Sequence, residues 1–262
     1  MNPMTRIPAV LLLCATGVAQ AAPVTLDGST VQETRQDDAG WGIGATTGLN
    51  DRPFVGVDSQ QESLPYLSGQ AGRFAVEGLD FTFNVAEREN RKLHLIVTPR
   101  FYEVKDSFAK NGELNGISTT KDTWFAGVNY RQPIGDYHLI ANAIYDIGNE
   151  SDGTEISLAV NRVFRSGELS LIPSAGLVWQ DENLVDHFYG VTLEESTPTR
   201  PVYQDESSLN VQASVTAVWQ PHQNWRLLGA VKGEKLGSGI GDSPIINDDV
   251  LGSALIGVVY QF

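Results

Sequence analysis

The stretch from residue 209 to residue 220 reads LNVQASVTAVWQ. Every second residue from Leu209 to Trp219 is apolar, and the residues between them are polar except Val218. Successive side chains of a β-strand point to opposite faces of the sheet. The stretch therefore predicts a strand with an apolar environment on one side and a polar environment on the other.

Similar alternating segments follow one another from Trp41 to Phe262, separated by turn residues such as Arg165-Ser166-Gly167. They predict twelve strands, or ten if the short segments 63–69 and 186–192 are not strands. With twelve strands, the long connection 103–122 falls on the periplasmic side. The predicted strands are 41–49, 63–69, 73–85, 91–103, 121–132, 136–147, 154–165, 168–179, 186–192, 208–220, 224–236 and 250–262.

These strands predict an all-β fold, a transmembrane antiparallel up-and-down β-barrel. After residue 22 the chain has no run of 18 consecutive apolar residues, which excludes spanning helices. A soluble β-sandwich or a lipocalin-like barrel alternates too, with its apolar face inward. The five tryptophans favour the membrane barrel, because they lie near predicted strand ends, where interface girdles sit.

The first residues have the features of an export signal. Arg6 provides a positive charge, an apolar stretch follows, and Ala19-Gln20-Ala21 matches a cleavage site. We predict a signal peptide over 1–21, a flexible periplasmic tail over 22–40 and an outer-membrane barrel of a Gram-negative cell over 41–262. The only cysteine, Cys14, lies in the signal peptide, so no disulfide is expected.

The chain is strongly acidic. Without residues 1–21 it carries 17 positive and 32 negative side chains, a net charge of −15. This balance argues against a nucleic-acid partner, which needs clustered Lys and Arg. We interpret the carboxylates of 181–195 and the Asp248-Asp249 pair as solvated loops, because their spacing matches no calcium-binding loop. No metal or other cofactor is predicted.

Catalytic chemistry is not expected either. His94, His138, His187 and His222 have no neighbouring serine motif, and G-x-S-x-G is absent from the sequence. We interpret Gly237 to Gly241 as a loop and not as a phosphate-binding turn. Inward ion pairs are possible between the basic residues Arg100, Arg131 and Lys232 and the acidic residues Asp80, Asp146, Glu155 and Glu234.

The last predicted strand has the pattern of an assembly signal for outer-membrane barrels. Its alternate residues are apolar, and the chain ends on an aromatic residue. Such a strand presents an apolar face to lipid and an edge that must be paired before the barrel closes. The residues are Ala254, Ile256, Val258, Tyr260 and Phe262.

Several short blocks resemble the MipA/OmpV family, whose founding member is the MltA-interacting protein. The resemblance is spread over most of the chain after residue 21 and is most specific in the Tyr-Gly-Val and Ser-Pro blocks. The main residues are Pro99, Arg100 and Phe101, then Tyr189, Gly190 and Val191, then Ser243 and Pro244. Leu64-Pro65-Tyr66, Gly72-Arg73-Phe74, Pro173 to Trp179 and Gly257 to Phe262 also fit.

The resemblance implies an outer-membrane barrel in contact with lipids and the barrel-assembly machinery. The founding member of the family resembles a scaffold that links a murein hydrolase, a lytic transglycosylase, to a murein synthase. Other members are antigens or adhesins. We therefore expect an envelope scaffold or surface antigen and not an enzyme. A narrow channel for small solutes is the alternative, and a lipid hydrolase is disfavoured because no motif supports it.

Overall fold

The computed structural model describes residues 40–101, 104–105, 108–204 and 206–262. The predicted signal peptide and the tail up to residue 39 lie outside the described residues. The strands are β1 (Gly42–Asn50), β2 (Gln60–Ala71), β3 (Phe74–Gly78), β4 (Asp80–Arg88), β5 (Arg91–Arg100), β6 (Thr123–Ile134), β7 (Tyr137–Asp146), β8 (Thr154–Arg162), β9 (Phe164–Ser166), β10 (Leu169–Gln180), β11 (Ser208–His222), β12 (Trp225–Lys235) and β13 (Val250–Gln261). The described helices are α1 (Glu182–Tyr189) and α2 (Ser238–Gly241), and neither is long and apolar enough to cross a bilayer.

The strands form one closed antiparallel barrel. β1 pairs with β13, from Gly42 opposite Gln261 to Asn50 opposite Ser253, and this joins the first strand to the last. β8 and β9 run in line and both pair with β10, so the wall has twelve strands. Pro173 of β10 lies opposite the break between β8 and β9, since proline cannot donate to a ladder and is confined to edges and irregularities.

The predicted number of strands is confirmed, but two of the predicted segments are wrong. Segment 73–85 is two strands, β3 and β4, joined by a tight turn at Gly78-Leu79. Segment 186–192 is not a strand, because α1 covers its first half. The additional strand before β5 places the connection 103–122 at the end of the barrel opposite to the predicted one. The ten-strand alternative is wrong.

The connections differ at the two ends of the barrel. The turns at 72–73, 89–90, 135–136, 167–168 and 223–224 are at one end, here called the turn end, together with Gly40 and Phe262. The connections 51–59, 101–122, 147–153, 181–207 and 236–249 are at the other, here called the loop end. Outer-membrane barrels have short periplasmic turns and longer external loops, so the turn end is expected to face the periplasm.

The outer wall is mostly apolar, whereas the inner wall carries polar residues together with an apolar cluster. That cluster consists of Tyr66, Ile172, Val218, Leu228, Ala230, Leu255 and Val259. In β11 the alternate residues Leu209, Val211, Val215 and Trp219 are exposed on the outside, whereas Asn210 and Thr216 are buried inside. Trp41, Trp219 and Trp225 lie at the turn end, and Trp124 and Trp179 lie at the loop end. The tryptophans therefore form two girdles, as the sequence predicts.

A buried ion pair crosses the barrel near the turn end. The guanidinium of Arg226 on β12 donates to the carboxylate of Glu77 on β3, and both side chains are almost fully buried. The Tyr66 hydroxyl donates to the same carboxylate at 2.7 Å. Between β12 and β2 the register passes through Val259 and Gly44, so a glycine lies beneath the path of the arginine side chain.

We expect Glu77→Ala to destabilise the barrel, because it leaves the charge of Arg226 buried without its partner. The free energy of unfolding should fall by about 3–5 kcal/mol. The measurement is urea unfolding in detergent micelles, followed by tryptophan fluorescence.

Glu89→Ala, at the exposed turn between β4 and β5, is the matched control and should change stability little. The double variant Glu77→Met/Arg226→Met should recover most of the loss, because it removes both buried charges. A Glu77→Ala variant as stable as the Glu89→Ala control would contradict this role for the ion pair.

Candidate functional site

The loop end is covered by a cap, defined here as the apolar cluster that the described residues of the connections 51–59, 101–122, 181–207 and 236–249 form over the barrel mouth. The cap packs on inner-wall residues Ile96, Phe125 and Ile144. Its deepest side chains are almost inaccessible to solvent. They are Val104, Leu114, Leu184, Val185, Phe188, Val191, Ile240 and Ile245.

Helix α1 is the centre of the cap. It begins after Asp181, whose carboxylate accepts from the backbone N–H of Leu184 at 3.0 Å, a regular N-cap. Its apolar face, which includes Phe188 and Tyr189, is buried. A Cβ at Gly190 would lie 2.4 Å from the carbonyl oxygen of Asp186, so only glycine fits the chain at the end of this helix.

Two of the blocks that carry the family resemblance meet in the cap. The Ser243 hydroxyl donates to the carbonyl oxygen of Tyr189 at 2.6 Å and is buried. The Tyr189 ring stacks on Phe54, with 5.8 Å between the ring centroids. Pro244 precedes Ile245, whose carbonyl accepts from the backbone N–H of Val55. These blocks therefore join three of the loop-end connections.

Arg200 holds two loops together. Its guanidinium donates to the carbonyl oxygens of Glu113 and Asn115, each at 2.9 Å, and to that of Glu195 at 2.8 Å. Glu113 and Asn115 belong to the connection after β5, and Glu195 to the one after α1. One side chain thus fixes the position of one loop on the other.

Burial and hydrogen bonding shift two pKa values in the cap. Burial by itself would raise the pKa of Glu195, but hydrogen bonds from Ser118 and Thr192 outweigh it and hold this pKa below its ordinary value. Burial lowers the pKa of His187, against the opposing effect of the Glu150 and Asp146 carboxylates. Both groups therefore favour the form they hold at neutral pH.

Below the cap, the inner wall carries ion pairs and amides. Arg100 donates to Glu155 at 2.8 Å, and Lys232 lies 2.7 Å from Glu234, as predicted. Arg131 donates to Asn129 at 3.0 Å, and Asp146 accepts from Thr123. The sequence prediction missed the pair Arg226–Glu77, because Glu77 lies near the end of a short strand inside segment 73–85, which was interpreted as one strand. It also missed Arg52–Glu62, because both residues lay outside the predicted strands.

A chain of hydrogen bonds crosses four neighbouring strands on this wall. His94 contacts the amide of Asn129 at 3.3 Å, Asn129 donates to Asn142 at 2.6 Å, and Asn142 donates to Ser157 at 3.0 Å. His94 faces inward, and its partner is an amide. The chain orders the wall and places no nucleophile beside a base.

The remaining predicted residues are placed as follows. His222 accepts from the backbone N–H of Asn224, and Asp249 pairs with Lys235. Ser238 to Gly241 form the four-residue helix α2, so the prediction of a plain loop at 237–241 is wrong there. Within the described ranges, no group of three or more His, Cys, Asp or Glu is placed to bind a metal.

The predicted assembly-signal residues share one face of β13. Ile256, Val258, Tyr260 and Phe262 are exposed on the outer wall, and Ala254 lies in the same row. Recognition of this row by the assembly machinery stays a prediction.

Comparison with known proteins gives consistent matches. The profile of the family described as MltA-interacting protein MipA matches residues 43–262. The MltA-interacting protein of Escherichia coli K12 is 22% identical over 223 residues, 84% of this chain and 89% of that protein. Outer membrane protein OmpV of Vibrio cholerae is 26% identical over 151 residues, 57% and 58% of the two chains. Among solved structures, the NanC porin aligns over 84% of this chain and 100% of its own, with 7% identity and a TM-score of 0.49.

We expect the cap to loosen in acid. The folded pKa of His187 lies below 6.5 and that of Glu195 below 4.5. The contribution of each group to the stability of the cap is therefore complete above these values. Each is lost as the pH falls through the folded pKa, because the unfolded state binds the proton more tightly. Hydrogen exchange at Val191 and Tyr203, which pair with each other, should speed up relative to intrinsic rates in two steps.

Glu195→Gln should remove the lower step, and Glu194→Gln, at the exposed neighbouring residue, should leave both steps in place. Exchange that follows intrinsic rates from pH 7 down to pH 3 would contradict this role for the two side chains.

Proposed function

Because the chain belongs to the MltA-interacting protein MipA family, we propose that it is an interaction protein whose turn end docks a murein-metabolising enzyme. It is an outer-membrane β-barrel, and its relative OmpV is named as an outer membrane protein. The observation that carries the proposal is that the lumen is closed at two levels by the residues of the chain itself.

The first closed level is the cap at the loop end. The second lies in the turn-end half of the barrel, where inner-face side chains from six strands have at most 1% of their surface exposed. They are Ser68, Asn129, Ile140, Asn161, Ile172 and Val259. A water-filled lumen would leave such residues accessible. A barrel filled in this way offers its ends, and not its interior, for function.

The turn end carries the better docking surface for a periplasmic enzyme. Residues Ala86 to Arg88 of β4 pair only with β5, so this hairpin extends past the start of β3. Its tip is charged and exposed, with Arg88, Arg91 and Lys92 beside Glu87 and Glu89. The E. coli relative is named for its interaction with MltA, which supports an enzyme partner for this surface too.

We expect crosslinking in intact cells to recover a murein hydrolase or synthase with the barrel. The paired reversal Arg88→Glu/Arg91→Glu should abolish that product, because it inverts the charge of the hairpin tip. The readout is mass spectrometry of the crosslinked complex.

Arg73→Glu/Arg165→Glu is the matched control and should keep the product, because Arg73 lies in another exposed turn of the same end and Arg165 is exposed beside a third. Every variant should retain heat-dependent mobility in SDS gels, which reports a closed barrel. Wild-type cells that yield no murein enzyme would overturn the proposal.

A narrow channel is the second candidate, and the chain of amides and hydroxyls from Asn129 to Ser157 on the inner wall favours it. The two functions differ in a planar bilayer. The interaction function predicts that refolded protein gives no conductance steps, because cap and lower level both block the lumen. Regular single-channel steps from the wild-type protein would favour the channel instead.

A further inference from the structure

The barrel wall has a lateral notch, defined here as the gap between Gln60–Tyr66 of β2 and the end of β5. It arises because β3 and β4 are short and are joined by Gly78-Leu79 within the wall. β2 pairs with β1 from Gln60 to Ser68 but with β3 only from Leu67 onward. β5 pairs with β6 up to Arg100 but with β4 only up to Val97.

The turn that forms the floor of the notch is a regular two-residue hairpin. Glu77 pairs with Asp80, and Gly78 has a φ of +68°, which suits glycine at the first central position. Tyr66 contacts this turn, because its ring lies 3.4 Å from where a Cβ on Gly78 would be. The notch is thus a built feature of the fold.

Each side of the notch carries a proline. Pro65 lies in the part of β2 that pairs only with β1, and Pro99 in the part of β5 that pairs only with β6. Proline has no backbone N–H and within sheets is confined to edges. Both belong to blocks that carry the family resemblance. The two edges are therefore unsuited to closing by strand addition.

The outer wall beside the notch is polar. The Ser63 hydroxyl donates to the Thr47 hydroxyl at 2.9 Å, and the Gln61 amide lies 3.4 Å from it. On this lipid side Ser63 and Gln61 are exposed and Thr47 is half-buried. The lipid-facing band of such barrels is normally apolar. Hydroxyl and amide groups at this site suit contact with a polar group held at the wall.

Behind the notch, the inner wall is partly accessible to solvent and carries side chains of both signs of charge. Leu64, Asp80 and Arg100 point inward and are partly exposed, and the Thr98 hydroxyl donates to Asp80 at 2.6 Å. Near the middle of the other strands the inner face is also partly exposed and polar, at Asn142, Ser157, Gln212 and Ser214. This polar space lies between the two closed levels of the lumen.

The cap covers the notch from the loop end. Arg52 pairs with Glu62 of β2 at 3.0 Å, and the ring of Phe108, from the connection after β5, lies 5.9 Å from the Arg52 guanidinium. The notch therefore opens sideways toward the bilayer, between polar interior and lipid.

We propose that this notch binds a membrane amphiphile, with its polar, net-neutral headgroup inside the barrel and its hydrocarbon chain in the bilayer. Arg100 pairs with Glu155 and Lys232 with Glu234, and Asp80 adds a third carboxylate, which accepts from Thr98. The inner wall near the notch therefore carries groups of both signs, which suits a headgroup that also carries both. Phe81 and Val97 are apolar residues on the outer wall beside the notch, where the hydrocarbon chain of the amphiphile would lie.

The test uses single cysteines, because the only natural cysteine is Cys14 of the predicted signal peptide. Leu64→Cys places a thiol on the inner side of the notch. Thr46→Cys is its matched control, since Thr46 pairs with Leu64 and also faces inward but lies in a strand paired on both sides. Ala45→Cys, on the outer wall, reports lipid exposure.

The proteins are reconstituted in zwitterionic phospholipid vesicles that contain a phospholipid with maleimide as its headgroup. We expect the lipid to label Leu64→Cys nearly as fast as Ala45→Cys and about ten-fold or more faster than Thr46→Cys, since a closed wall keeps lipid out. Heat-dependent gel mobility identifies folded protein. If Leu64→Cys does not fold, Thr98→Cys tests the opposite edge.

Equal, slow labelling of Leu64→Cys and Thr46→Cys would overturn the proposal, and so would equal, fast labelling, which would indicate a leaky wall. Protection of Leu64→Cys that increases with the protein-to-lipid ratio would place a second copy of the chain on the edge of β2 and would also overturn it.

Discussion

Hydrogen bonding of the backbone inside a bilayer is the constraint on which the structure depends. Hydrocarbon offers no partner to an N–H or C=O group, so a sheet that spans the membrane must close on itself. Pairing of β1 with β13 provides that closure. The constraint is relaxed at the notch, and there the chain has prolines at both edges and hydroxyl groups on the neighbouring outer wall. Irregular backbone is thus found together with the side chains that make it tolerable.

The family blocks serve the ends and the irregular parts of the barrel more than its regular wall. Tyr189, Gly190 and Ser243 hold the cap together, and Pro65 and Pro99 border the notch. Regular strands need only alternation, which many residues satisfy. A helix end without room for a Cβ, or an edge without a partner strand, accepts few residues. This difference explains why short blocks stand out in a sequence whose strands are otherwise permissive.

Alternation predicted the barrel, the number of strands and the outward face of β13, because period two is a property of the backbone in any strand. Alternation failed at two places, where a tight turn and a short helix were interpreted as parts of strands. In segment 73–85 the outward apolar residues change from even positions, Phe74 and Val76, to odd positions, Phe81 and Phe83, and this change marks the turn at Gly78. In α1 the N-cap Asp181 was the available signal, but eight residues are too few for a helical period to emerge. Contacts such as Arg226 with Glu77, 149 residues apart, depend on barrel closure and leave no local trace.

The ion pair between β12 and β3 has a consequence for biogenesis. Its partners lie on opposite sides of the junction between the first and the last strand, so they meet only when β1 and β13 have joined. Until then each charge lacks its partner, and neither charge stabilises a sheet that is only partly paired. The ion pair therefore stabilises only the closed barrel, which makes the final step of assembly cooperative and its reversal slow. In kinetic terms it acts as a latch.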